Sequence, residues 1–340
     1  MFLLCAFLII VAGDIPAISM VMRIKGHNGY SPCRMCKILG IRVPGSRNTT
    51  NYVPLDRSQH PDVRSSASAT KKYDPLRLPM RTHDEMLAQG KEVQLAPTAA
   101  AAERLSKKYG IKGVPILRYL SSLKFPKSFP YDFMHLIWEN LIKNLVLLWT
   151  GGFKGVNTGS ESYELGQEVW EAICEATAAA GDTLPSSYCA RPPNPTTERS
   201  ACTADSWSFW TQYIGPVLLH QKFSKAKYYK HFVKLVRMLR VCLQFEISRQ
   251  DVADLRVGFA TWVEDFERFV FPCYQSCLEV PGLAKTPSSA STTNMTLNEL
   301  RLVPSPSTHC FILLTVLRRP VQFGLHGPSL WKDFVVDCSQ

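Results

Sequence analysis

The chain has 340 residues, with 39 Lys and Arg against 28 Asp and Glu and a formal net charge of +11. At 46% hydrophobic and 20% charged residues, the composition excludes a wholly disordered protein, a coiled coil and a collagen-like rod. The length fits about two domains, or one domain with a large insertion, and the basic excess points to a polyanion such as nucleic acid or to an acidic membrane surface.

The first predicted element is the apolar run Met1–Ala12. No Lys or Arg precedes it, and Asp14 interrupts it well short of the ~20 residues a membrane span needs. A buried strand ending in the turn Gly13-Asp14-Ile15-Pro16-Ala17 is therefore preferred to a secretory signal. Residues 1–60 read as this core strand followed by a loop rich in Gly, Arg and Cys. Residues 61–127 read as a connector, polar from Arg64 to Lys72, and a helical segment for which Thr82 is a suitable cap. From 128 to 278 the pattern is mostly helical. It includes an apolar helix Leu136–Trp149 closed by Gly151 and Gly152, and further helices over 161–180 and 203–275. Residues 279–340 form a low-complexity, divergent tail.

Four groups of residues have the chemistry for a site. Asp132, His135 and Glu139 stand at i, i+3 and i+7, a spacing that puts all three on one face of an α-helix, where they could hold a divalent cation or move a proton. The plainer reading makes Asp132 a cap, His135 a satisfied histidine and Glu139 a solvated charge. Asp14, at the end of a strand, is placed to hold Mg²⁺ or Mn²⁺ if other carboxylates converge on it, though a lone Asp there is more often a turn former. Cys33-x-x-Cys36 has half the spacing of a zinc site, with His27 six residues before it and His60 and His83 downstream. Its alternative is two cysteines in an ordinary loop. The other nine of the eleven cysteines are irregularly spaced and read as thiols in a reducing compartment. Finally, Lys222, Lys225, Lys227, Lys230, Lys234, Arg237 and Arg240 occur with no acidic residue among them. Lys227, Lys230, Lys234 and Arg237 share one helical face while Phe232, Val236, Leu239 and Leu243 share another, which suits a DNA phosphate backbone; the plainer reading is a solvated basic face, and the net charge of +11 favours the first. Walker-type loops, GxGxxG, GxSxG and HExxH are missing from the sequence.

Taken together, Gly13–Ala17, Lys25-Gly26-His27, Pro32-Cys33-Arg34-Met35-Cys36 and Phe129-Pro130-Tyr131-Asp132-Phe133-Met134-His135-Leu136-Ile137-Trp138-Glu139-Asn140 resemble the CACTA (En/Spm-type) DNA transposases, and within them fungal Plavaka-type relatives. Shorter matching stretches, among them Trp207–Trp210, Ile214–Leu219 and Tyr228–Phe232, continue to about Tyr274. The resemblance implies an α/β fold: a partial RNase H-like core, a mixed sheet with helices, carrying a large mostly α-helical insertion. It also implies cut-and-paste transposition by metal-dependent phosphodiester cleavage and strand transfer, in the nucleus. Asp14 would be the second core carboxylate, Asp132 and His135 an Asp-x-x-His element that supports the core or its DNA, and His27, Cys33 and Cys36 a small zinc-binding insertion. DNA, as transposon ends and target, is the expected partner. A homo-oligomer is compatible with the resemblance, and no membrane is expected. The sequence also departs from the family. The first core carboxylate would lie upstream of Met1, His309 is followed by Leu313 where relatives carry a second histidine, and the downstream Glu-Arg segment is missing. The expectation is thus a catalytically incomplete fragment, with a domesticated, non-enzymatic DNA- or chromatin-binding protein as the alternative.

Overall fold

The computed structural model describes residues 6–27, 29–42, 52–153, 161–185, 187 and 190–279, with side chains described as far as Phe269. The 279–340 tail beyond Glu279, with His309 and Leu313, lies outside the described residues.

The architecture is helical. In chain order it comprises α1 (Ile15–Val21), α2 (Pro61–Arg64), α3 (His83–Gln94), α4 (Ala99–Tyr109), a π-helical stretch Met134–Ile142 running directly into α5 (Lys143–Trp149), α6 (Gln167–Ala180), α7 (Ala204–Phe209) followed by a π-helical turn Trp210–Ile214, α8 (Gly215–Leu218), α9 (Ala226–Cys242) and α10 (Arg249–Glu279). Among the described residues there is no strand. Only four isolated antiparallel bridges occur, pairing Ile24 with Ile111, Cys36 with Met80, Ile41 with Tyr52 and Asp56 with Lys72. This overturns the α/β expectation: no mixed sheet, and hence no RNase H-like core, is present in the described residues.

The physical reason is clearest at the N-terminus. The β-branched run is intrinsically strand-like, but a strand exists only when a neighbour takes its backbone groups. The segment from Ala6 to Gly13 meets a loop instead. Val11 N–H donates to the Ser128 carbonyl at 2.8 Å, and the Leu8 carbonyl accepts from Ser122 Oγ at 2.7 Å. Phe7, Leu8, Ile9 and Ile10 remain exposed.

Two apolar clusters organise the chain. The smaller joins Ile18 and Met22 of α1 to Ile24, Met86 of α3, Ile111, Leu123, Phe125 and Phe129. The larger runs from the Cys33–Leu78 region through α5, α6, α7, α9 and α10. Local chemistry sets the helix ends. Thr82 caps α3 by accepting from Glu85 N–H at 3.3 Å, and Thr98 caps α4 by accepting from Ala101 N–H at 3.1 Å. Gly110 ends α4 with φ +70°, and a Cβ there would stand 2.3 Å from the Ser31 carbonyl oxygen, so only glycine lets that loop close on the helix.

The α9–α10 hairpin follows its amphipathic pattern. Phe232, Val236 and Leu239 are buried against Phe259, Trp262, Val263 and Phe266, whereas Leu243 falls past the helix end and is exposed. Among the described residues, no helix is long and apolar enough to cross a membrane.

Candidate functional site

The fold brings together two motifs separated by almost a hundred residues. Cys33 and Cys36 are buried in a tight turn in which Met35 N–H and Cys36 N–H both point at Cys33 Sγ, each at 3.3 Å. Such N–H···S donation stabilises a sulfur that carries negative charge. Tyr131, immediately before Asp132, packs on this turn: its hydroxyl lies 3.8 Å from Cys33 Sγ and accepts from Arg34 N–H at 3.4 Å. The Arg34 guanidinium stacks 3.8 Å over the Tyr131 ring.

Arginines hold this junction. Arg81, buried, donates through Nε to the carbonyls of Cys33 and Cys36 at 3.0 and 3.1 Å, through Nη1 to the Tyr109 carbonyl at 2.8 Å, and through Nη2 to Ser31 Oγ at 2.7 Å. Arg34 is only 2% exposed, yet its guanidinium nitrogens have no hydrogen-bond acceptor. Burial lowers the pKa of both guanidiniums, while the neighbouring Cys33 partly offsets the effect on each. The Cys36 thiol is held well above the ordinary thiol range, first by its hydrogen bond with Cys33 and then by burial. Burial likewise raises the Tyr131 phenol.

On the other side of Tyr131, Asp132 takes Met134 N–H at 3.0 Å through Oδ1 and a short hydrogen bond from His135 Nδ1–H through Oδ2. The i, i+3 pair is thus a half-exposed carboxylate–imidazole dyad at the mouth of the π-helical stretch. Glu139 does not join it: its carboxylate pairs with Lys143, four residues on. The expected common face assumed α-helical winding, and the wider π turn between Met134 and Ile142 alters that register.

The other predicted ligands are dispersed. Asp14 accepts Ala17 N–H at 2.6 Å and is the N-cap of α1, with extended backbone. His27 is part-buried, and burial lowers its pKa. His60 is buried and bonds the Arg42 carbonyl at 2.7 Å through Nε2. His83 Nδ1 accepts Phe125 N–H at 3.0 Å. Among the described residues, no three His, Cys, Asp or Glu side chains come close enough to hold a metal ion together. The Cys33–Cys36 turn therefore has the shape of half a zinc site, and among the described residues Asp14 belongs to no group of three such side chains that could hold Mg²⁺ or Mn²⁺.

The cationic face of α9 is built as its pattern required but is partly neutralised. Lys230 and Arg237 are exposed. The Lys234 ammonium lies 3.5 Å from the Asp265 carboxylate of α10, which also binds Arg268 at 2.7 Å. Lys227 sits over the rings of Tyr228 and Phe269, at 4.9 and 4.5 Å. Behind this face, His231 stacks 4.4 Å from Trp262, and the two residues exchange hydrogen bonds. His231 Nε2–H donates to the Trp262 carbonyl at 2.9 Å, and Trp262 Nε1–H donates to the His231 carbonyl at 3.0 Å. Burial brings the His231 pKa down to about 4, which keeps the ring neutral.

Sequence reasoning missed Tyr131, Arg34 and Arg81 as site neighbours. The one available signal was position, since Arg34 lies inside Cys-x-x-Cys and Tyr131 directly precedes Asp132. Compared with protein-family models, curated proteins and solved structures, the chain matches none significantly.

Proposed function

We propose that this chain is a transposase-derived, nuclear DNA-binding protein of the CACTA type, and that its described body contributes DNA binding rather than cleavage. The observation that carries the reading is the exposed pair Lys230 and Arg237 on α9, seven residues apart on one face of a helix whose other face is locked into the core. A rigid helix presenting spaced cations suits a phosphate backbone, and the chain's net charge of +11 strengthens the long-range attraction. Asp14 is a helix cap and, among the described residues, belongs to no group of three metal-ligating side chains, so no cleavage step is assigned to it.

Zinc remains part of the proposal at the Cys33–Cys36 turn, which would supply two thiolates and hold the loop against Tyr131. The N–H groups aimed at Cys33 Sγ favour that state, and metal binding would displace the thiol protons.

The test is DNA binding measured by fluorescence anisotropy over a range of salt concentrations. Binding should weaken steeply with salt, and charge reversal at Lys230 and Arg237 should lower affinity by about tenfold or more. Unchanged affinity in that double variant would overturn the reading. A separate strand-cleavage assay with Mn²⁺ addresses catalysis: cleavage by the wild type that Asp14→Ala abolishes would restore an enzymatic role.

A further inference from the structure

The cationic stripe of α9 does not stop at Arg237. It continues to Arg240, whose guanidinium lies over the exposed Tyr213 ring, and the exposed Phe245 follows five residues later in the chain. Tyr213, in the π-helical turn after α7, is 56% exposed, and Phe245, in the turn between α9 and α10, is 85% exposed. Leu243 and Ile247 add exposed apolar surface in the same turn. Arg240 links the helix to the Tyr213 side, with its guanidinium 5.5 Å over the Tyr213 ring and a short hydrogen bond to the Gln212 carbonyl. Phe209 packs against the same ring, with centroids 5.0 Å apart.

An isolated exposed aliphatic residue needs no explanation. Two exposed rings at the end of a basic stripe do, because leaving them in water costs free energy that packing elsewhere in this chain avoids. Arg240 and Arg249 flank the turn in the chain. Asp251, just past the turn, is engaged by Ser248 N–H and Oγ–H at 2.8 and 2.7 Å. Cations that follow a backbone, next to rings that stand in solvent, are what unpaired bases require. A duplex hides its base faces and gives such rings nothing to stack on.

We propose that Tyr213 and Phe245 form a stacking platform for unpaired DNA bases at the end of the α9 stripe, so that the chain prefers single-stranded or frayed DNA to duplex. The proposal rests on the reading of α9 as the DNA-facing helix.

Anisotropy titrations with a labelled single strand and with its duplex test it, alongside 2-aminopurine fluorescence in the single strand. Wild type should bind the single strand more tightly and quench 2-aminopurine. Tyr213→Ala and Phe245→Ala should each weaken single-strand binding about fivefold or more, abolish most of the quenching, and leave duplex binding unchanged. Phe245→Leu keeps apolar bulk without a ring and should lose quenching as well; retained quenching would overturn stacking as the mechanism. Equal losses on both substrates, or none, would overturn the platform, and so would self-association that Phe245→Ala abolishes while DNA affinity stays the same. Charge reversal at Lys230 and Arg237 separates the two readings. If it weakens neither substrate, the assignment of α9 fails; if it weakens both while the ring variants change nothing, only the platform fails.

Discussion

In the loop-rich part of the molecule, residues 23–81, the long side chains that reach inside include Arg34, Arg57 and Arg81, and single β-bridges and guanidinium–carbonyl bonds hold the backbone. In the helical part, from α5 to α10, the interior is filled by Trp149, Trp207, Trp210, Phe232, Phe259, Trp262 and Phe266, packed largely edge to face. Both parts bury large side chains. A stretch without regular secondary structure must satisfy its carbonyls with side chains, and arginine, with five donors in a fixed fork, satisfies several at once. Helices satisfy their own backbone and are free to bury rings. The two parts should therefore fail in different ways.

The largest effect is expected in the helical part. Trp262 is fully buried, stacks on His231 and donates to its carbonyl. Trp262→Ala should cost about 4 kcal/mol in a urea unfolding experiment. A cost near 1 kcal/mol would mean that the α9–α10 seam contributes little and would weaken the comparison.

Next is Arg81→Met, which keeps the volume but removes four donated bonds, three of them to backbone carbonyls. The orphaned acceptors should cost about 3 kcal/mol. Because the lost bonds join the Ser31–Cys36 loop to the end of α4, hydrogen exchange should rise first in residues 31–40. Uniform acceleration across the chain would show that the loops and helices unfold as one unit.

A pH series probes the seam between the two parts. Glu267 of α10 accepts Leu55 N–H at 2.8 Å, and burial pushes its carboxyl up to about 8. The folded state therefore holds a proton that the unfolded state, titrating near 4.5, has released. Its contribution to stability is complete below 4.5 and is lost as pH rises through 8. His231 has the opposite sign: its contribution is complete above 6.5 and is lost as pH falls toward 4. The two slopes oppose one another between 4.5 and 6.5, so the alkaline limb belongs to Glu267. The loss between pH 6.5 and 9 should be on the order of 2 kcal/mol, and Glu267→Gln should flatten it in urea midpoints. An unchanged alkaline slope in that variant would remove Glu267 from the seam.

The same contrast explains what could be read in the sequence. The hydrophobic period of α9 predicts its buried face because that face needs only a helix and a partner. The Asp132–His135 pair follows from i, i+3 spacing, whereas Glu139 escapes because nothing in the local composition announces π winding. The Met1–Ala12 run has strand propensity, but a strand is a property of two segments, and no partner segment is present among the described residues. The meeting of Cys33 with Tyr131 spans 98 residues, and no periodicity encodes it. It depends on where the Arg81 bonds place the loop, which is decided only when the chain has closed on itself.

The smallest expected effect is the most discriminating, because it lies within the arginine-rich part itself. Arg34 and Arg81 are similarly buried at the same cysteine turn, yet the Arg81 side chain donates four hydrogen bonds, whereas the Arg34 guanidinium lies over the Tyr131 ring and gives none of its N–H groups to an acceptor. Replacing a buried charge that lacks hydrogen bonds by an apolar group of similar length removes a desolvation cost together with a cation–π contact. These terms nearly cancel, so Arg34→Met should change stability by no more than about 1 kcal/mol in either direction, in the same urea assay that registers Arg81→Met. A loss as large as that of Arg81→Met would mean that positive charge beside the cysteines matters more than the bonds it makes. The Cys33–Cys36 turn would then be carrying thiolate, and adding zinc or a chelator to the wild type should shift its unfolding midpoint in the same experiment.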